Sequence, residues 1–273
     1  MSVASAVFGY FSAATERSTS EFISLLIGTA LAAGGCAAIN QCMEIKEDAM
    51  MDRTSTRPLP SGEVKLFHAL LIGLITSIAG LGVLAWGTNL SAMLLTLGVL
   101  VVYLVFYTPM KKTTHLSTEV GAISGALPPL LGYVAATGSL TVDSLNGWLL
   151  FGILFAWQMP HFMAISWMHR EDYKEAGFKM LVHERNGPAR TALKSFLYTI
   201  ILIGFTYAPL WIPGNEVSLW YLVLNSLLSV YALYHAVRFL NPNNRDTNAR
   251  SLFFSTILYL PVFMILFALD RYL

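Results

Sequence analysis

Charge is scarce in this chain: only 12% of its 273 residues are Asp, Glu, Lys or Arg, against about 25% in an ordinary soluble domain. Hydrophobic residues make up 55%, more than a water-soluble core could absorb, so lipid is the expected solvent. Cysteine is nearly absent. Cys36 and Cys42 lie in one apolar segment, about 9 Å apart along a helix, so neither a disulfide nor a metal framework follows. A strong charge of one sign is also missing: the balance is +1, which gives no basic surface for nucleic acid. No basic region precedes Ala4–Phe11 and no Arg-rich leader is visible. That points to a bacterial inner membrane rather than a cleaved signal, with a processed mitochondrial inner-membrane protein as the alternative.

What is present is long apolar blocks of the length, roughly 20 residues, that carries an α-helix across a bilayer. They fall near Phe22–Met43, Leu66–Trp86, Ser91–Tyr107, Val120–Thr137, Leu145–Met168, Ala192–Trp211, Ser218–Phe239 and Ser251–Leu269. Their continuity excludes a barrel, whose strands would alternate. Val3–Ala14 is apolar but too short to cross, and reads as the end of a shortened helix. The fold class is therefore all-α, a polytopic transmembrane helical bundle, with 1–273 as a single domain.

Loop charge sets the orientation, because short cytoplasmic loops collect Lys and Arg. Four loops carry them: Lys46, Arg53, Arg57 and Lys65; then Lys111 and Lys112; then Arg170, Lys174, Lys179, Arg185 and Arg190; then Arg245 and Arg250. The alternate loops, around Thr88, 138–144 and 213–217, contain none. The charged loops are expected on the cytoplasmic side.

A positive-inside loop needs no acids, yet Asn40, Glu44, Asp48 and Asp52 recur every four residues. On a continuous helix they would line one face, and like charges at that spacing repel. Something cationic should offset them. Such oxygen ligands suit Mg²⁺, held by one or two carboxylates and completed by waters and phosphate oxygens, while Arg53 and Arg57 suit phosphate. A solvated helix end with ordinary ion pairs is the alternative.

Gln158 and His161 sit deep in an apolar span, where polar groups are costly enough to be functional candidates; the alternative for His161 is bonding to a neighbouring helix. Pro160 should kink that helix. Tyr103 and Tyr107 share a helix face and could support a developing cation, with Lys111 and Lys112 placed for phosphate. Pro128 and Pro129 predict a broken helix lining a cavity.

Three stretches together carry a resemblance: Asn40-Gln-Cys-Met-Glu-Ile-Lys-Glu-Asp-Ala-Met-Met-Asp-Arg-Thr with Arg57-Pro-Leu, Tyr107-Thr-Pro-Met-Lys-Lys, and Trp157-Gln-Met-Pro-His-Phe with Arg170-Glu-Asp-Tyr. With Val120-Gly-Ala-Ile-Ser-Gly-Ala-Leu-Pro-Pro-Leu-Leu-Gly-Tyr, they resemble the UbiA-type intramembrane prenyltransferases, in particular their protoheme IX farnesyltransferase branch. The resemblance implies a nine-helix bundle with the first helix shortened. It also implies farnesyl transfer from farnesyl diphosphate to a vinyl group of heme B, with water added. The implied cofactor is Mg²⁺, with Mn²⁺ an alternative, and a heme A synthase or oxidase-assembly proteins are implied as candidate partners.

Carried over by position, Asn40, Glu44, Asp48, Asp52 and Asp172 would be catalytic, and Glu44, Asp48 and Asp172 would hold the metal; His161 joins the catalytic set as the preferred candidate for positioning heme or handling a proton. Arg53, Arg57, Lys111, Lys112 and Arg170 would bind diphosphate, and Tyr103, Tyr107, Trp157 and Gln158 would line the substrate cavity. One position departs: the wider superfamily has a second Asp where this chain has Ala176. Two rival readings remain, prenyl transfer to an aromatic quinone precursor and a transporter with a polar path between helices.

Overall fold

The structure, a computed structural model, describes residues 2–13, 18–141 and 145–272, with side chains to residue 270. Ala14 of the short apolar stretch and residues 142–144 of one outer loop lie outside the described residues.

The described residues are helical throughout, with no strand. In chain order the helices are α1 (Ser2–Ser12), α2 (Thr19–Met43), α3 (Ile45–Met50), α4 (Leu66–Gly87), α5 (Leu90–Met110), α6 (Ser117–Thr137), α7 (Leu145–Met168), α8 (Arg170–Glu175), α9 (Gly187–Tyr207), α10 (Leu219–Leu240) and α11 (Arg245–Tyr272). Eight of them are long and apolar enough to cross a membrane, matching the apolar blocks one for one. This is a multi-pass membrane protein. Helices outrun their apolar blocks where the ladder of backbone bonds continues into water: α9 starts at Gly187-Pro188, and α11 has a polar first turn and a half.

At the ends poor in Lys and Arg, one neutral side chain caps two helices. Asn89 Oδ1 accepts from Ala92 N–H at 2.9 Å, and its amide donates to the Val134 and Ala135 carbonyls at 3.0 and 3.2 Å. One asparagine thus closes the start of α5 and the end of α6.

The chain packs as two compact units. The first comprises α1 to α6 together with residues 171–180. Helices in lipid gain little from burying apolar surface and associate through close packing instead. Here α1 and α6 touch backbone to backbone: a Cβ on Gly9 would lie 1.8 Å from the Pro129 carbonyl oxygen, and one on Gly132 would lie 1.8 Å from that of Ala6. Tyr10, Leu25, Leu84 and Leu131 are buried around this contact. The expected break in α6 does not occur; the helix runs unbroken through Pro128 and Pro129. Close packing holds both rings in a helical path, and the missing N–H groups only deprive Ser124 and Gly125 of their helical donors.

The second unit holds α7, α9, α10 and α11. Its core joins Ala164, Ala192, Ala236, Phe239, Ala249 and Leu252. Polar bonds tie its helices: Tyr221 Oη donates to the Thr206 carbonyl at 2.7 Å, and Trp157 Nε1 to the Thr256 carbonyl at 2.8 Å.

Candidate active site

In the first unit the acidic stripe begins inside the bundle. Asn40, Glu44 and Asp48 are 7%, 3% and 2% exposed, so all three are withdrawn from water. The stripe is not on one continuous helix. Glu44 breaks it with φ −117° and ψ 21°, α3 starts at Ile45 and ends at Met50, and Met51 is extended. Asp52 therefore lies beyond the helix and is exposed, and the fourth member of the row does not join it. A four-residue period holds only while the helix does.

Each buried carboxylate meets a cation. Lys111 Nζ lies 2.8 Å from Glu44 Oε2, which also accepts from Asn40 Nδ2 at 3.0 Å. Arg57 donates to Asp48 Oδ2 at 2.8 Å. Lys112 pairs with Glu47 at 2.5 Å. Burial would raise the Glu47 carboxyl, but the Lys112 ammonium and a backbone bond outweigh it and hold the group below its ordinary range. Thr54, absent from the sequence reading, is buried and donates to the Asp48 carbonyl at 2.8 Å. It fastens the turn that aims Arg57.

Lys111 arrives by way of an irregular helix end. Residues Val102–Tyr107 of α5 form a π-helical stretch immediately before Pro109. Proline cannot donate and crowds the carbonyl four residues back, and a wider turn relieves that crowding. The Thr108 hydroxyl then sits 2.8 Å from Asn40 Oδ1 and 2.9 Å from the Tyr103 carbonyl. Asn40 is thus oriented at both ends, its amide nitrogen toward Glu44 and its oxygen toward Thr108. Proline at a span end was the available signal. Tyr103 and Tyr107 pair at 4.9 Å, and Lys111 Nζ lies 4.5 Å from the centre of the Tyr107 ring.

Residues 171–180 close over this row. Lys179 N–H donates to the Lys111 carbonyl at 2.7 Å, and Met51, Ala176 and Phe178 form a small buried cluster with Tyr173 and Met180 beside it. Burial raises the Tyr173 phenol; the Arg53 and Lys111 cations oppose the shift, and Asp172 and Glu44 reinforce it. Arg53 and Asp172 thus lie within electrostatic reach of the Tyr173 ring. Ala176, at the position where the resemblance implied a second Asp, is packed against Met51 and Phe178. An acid there would lose its hydration.

The expected trio Glu44, Asp48 and Asp172 does not form a ready metal cage: among the described residues no three acidic, His or Cys side chains converge on one point. The cations hold the carboxylates in separate pairs. Mg²⁺ needs only one or two protein carboxylates when a diphosphate supplies further oxygens, and Glu44 Oε1 is buried without a hydrogen-bond partner among the described residues. Glu44 and Asp48 fit that role.

One to three turns before Asn40, the same face of α2 presents Cys36, Ala33, Ala32 and Thr29 to a cavity of about 210 Å³. Tyr103, Leu100, Pro128 and Leu131 form other walls. An apolar chain attached to a head group at Glu44 would lie here.

The second unit holds the remaining expected residues. Trp157 and Gln158 are buried, and Gln158 Nε2 donates to the Leu154 carbonyl of its own helix at 3.1 Å. The His161 ring stacks between Trp157 and Phe253, with centroids at 5.0 and 5.1 Å. Thr256 spends its hydroxyl proton on the Phe253 carbonyl at 2.7 Å, so its oxygen accepts from His161 Nδ1 at 2.9 Å. Nε2 is left with the lone pair, the arrangement in which a histidine accepts a proton or meets a metal. Arg170, expected with the diphosphate cations, pairs in this unit with Asp246 at 3.0 Å.

A buried row of carboxylates paired with cations, beside an apolar cavity between helices, is the arrangement expected of an intramembrane enzyme for a substrate with a charged head and an apolar tail. A family model, the UbiA prenyltransferase family, matches residues 2–258. A protein called protoheme IX farnesyltransferase from Opitutus terrae is 39% identical over 99% of this chain and 90% of its own length, and one of the same name from Solibacter usitatus is 44% identical over 90% and 82%. The chain is also similar in fold to a UbiA homolog from Archaeoglobus fulgidus bound to DMAPP and Mg²⁺, with a TM-score of 0.66 and 18% identity over 97% of this chain and 94% of that one. The chain belongs to the UbiA prenyltransferase family.

Proposed function

We propose that this protein transfers a farnesyl group from farnesyl diphosphate to a vinyl group of heme B, with addition of water, to give heme O and diphosphate. The observation that carries the donor half is the buried row in which Lys111 and Asn40 share Glu44 Oε2 while Glu44 Oε1 has no partner among the described residues. The acceptor follows from the relatives called protoheme IX farnesyltransferase.

In this reading Glu44 and Asp48 would hold Mg²⁺, with Asp172 as a further candidate ligand, and the ion when bound would supply neutralising charge to the diphosphate. Arg53, Arg57, Lys111 and Lys112 take up the remaining charge as the bond between oxygen and allylic carbon breaks and its electron pair leaves with diphosphate. The Tyr103 and Tyr107 rings, paired at 4.9 Å, would stabilise the carbon that becomes cationic. The vinyl π electrons form the new carbon–carbon bond, water oxygen adds to the resulting cation beside the pyrrole, and a proton is lost. His161 positions the porphyrin or accepts that proton through Nε2. The site loops lie on the cytoplasmic side of a bacterial inner membrane.

The test is to incubate the purified chain with farnesyl diphosphate, Mg²⁺ and heme B and to record the porphyrin mass. A gain of one farnesyl group plus one hydroxyl is expected. No gain on heme B, with prenylation of an aromatic quinone precursor instead, would overturn the acceptor assignment.

A further inference from the structure

At the charged edge of the second unit, two arginines meet one indole. The Arg170 and Arg245 guanidinium carbons lie 4.7 and 5.2 Å from the centre of the Trp167 ring. Asp246 Oδ1 accepts from Trp167 Nε1 at 2.7 Å and from Arg170 at 3.0 Å. Arg245 donates only to the Leu240 carbonyl, at 3.2 Å, and its Nε is buried without a partner among the described residues. A guanidinium nitrogen withdrawn from water and left unpaired is costly, and a fork stacked on an aromatic plane suits a carboxylate or phosphate.

The cluster continues a second feature of the same helices. Trp167 follows His161 by six residues on α7, about 9 Å along the axis, and Arg245 precedes Phe253 on α11. Moving from the membrane interior to its edge, this unit thus offers the edge of a stacked Trp157–His161–Phe253 group, then an indole flanked by two guanidinium groups. A ligand matching both is planar and apolar in the middle and anionic at one edge. Heme has that shape, its two propionates lying on the side away from the vinyl groups.

Resting on the heme reading above, we propose that Arg170 and Arg245 on Trp167 are the anion site that receives the propionates of the porphyrin substrate and fixes which edge faces the membrane interior. Arg170 is thereby assigned to the acceptor rather than to the diphosphate. The phosphate of an anionic lipid head group shares this chemistry, so the test separates the two sources.

Heme B and its dimethyl ester, which lacks the two negative charges, are titrated optically into the full chain in detergent, wild type and Arg245→Gln. About tenfold or greater weakening for heme B is expected, from the loss of a charge-assisted contact, with ester binding unchanged. The unchanged ester titration also reports that the variant is folded. Arg245→Lys should recover only part of the heme B affinity, because the fork is lost. Equal weakening of both ligands, or of neither, would overturn the proposal. So would retention of an anionic phospholipid in native mass spectra of wild type but not Arg245→Gln, with the ratio of the two porphyrin affinities unaltered. If wild type binds neither porphyrin, the heme reading itself fails and this inference with it.

Discussion

Lys111 reaches across 67 residues of chain to place its ammonium 2.8 Å from Glu44 Oε2. The acid is 3% exposed. Removing the cation would strand a carboxylate in a site with little water, a situation far more costly than the loss of a surface ion pair. Lys111→Met should therefore raise KM for farnesyl diphosphate at least tenfold and lower the melting temperature in detergent. Wild-type kinetics in a stably folded variant would remove Lys111 from the site.

Asp48 and Asp52 are separated by the end of α3. Asp48 is buried against Arg57, whereas Asp52 is exposed. Asp48→Ala should abolish farnesyl transfer while the protein stays in the membrane fraction. Asp52→Ala should retain at least a third of wild-type turnover, roughly the effect of losing a screened surface charge. Equal damage from both substitutions would restore Asp52 to the row.

Ala176 tests whether motif or environment decides. Ala176→Asp restores the superfamily spacing but places a carboxylate against Met51 and Phe178. Burying that charge unpaired should destabilise the loop by about 1–3 kcal/mol and reduce activity. A gain in Mg²⁺ affinity with undiminished turnover would show that the loop can open to hydrate it.

Gly132 allows α1 to sit on α6. In Gly132→Val the new Cβ would lie 1.8 Å from the Ala6 carbonyl oxygen, so the helices must separate, at a cost of about 1–3 kcal/mol. Gly98→Ala, with nothing within 4 Å of its new Cβ, is the matched control and should be neutral or mildly stabilising in the helix. Thermal unfolding of the two variants in one detergent checks the difference.

The Glu47 carboxyl is held below its ordinary value of 4.5, so the folded state binds this proton less readily than the unfolded chain does. Its contribution is fully present above that ordinary value and is lost as pH falls through the lower folded-state value. Lys112→Gln removes the lowering cation. Melting temperature between pH 6 and 3 should then fall less steeply in the variant than in wild type.

The spans were legible because lipid imposes a length and a polarity that local sequence must satisfy. So was the chemistry of the charged side: acids where topology asked only for Lys and Arg. The row itself was legible only through Asp48, because periodicity assumes a helix: the chain resumes helical bonding after the kink at Glu44 but leaves it at Met51. The unbroken path through Pro128 and Pro129 was hidden for the converse reason. Packing against α1 held a helix where the local signal predicted a break.

The amino-acid sequence by itself determined the solvent, the number of crossings and the set of groups able to meet a diphosphate, since each depends on neighbours a few residues away. Only the tertiary structure decided which partner each group takes. Glu44 is paired by Lys111 and not by its own loop, Ala176 is core and not a failed ligand, and Arg170 stands with Trp167 and Asp246. Those choices depend on which helix ends meet at the membrane edge, and there the strength of a charge pair is set by the water that packing excludes.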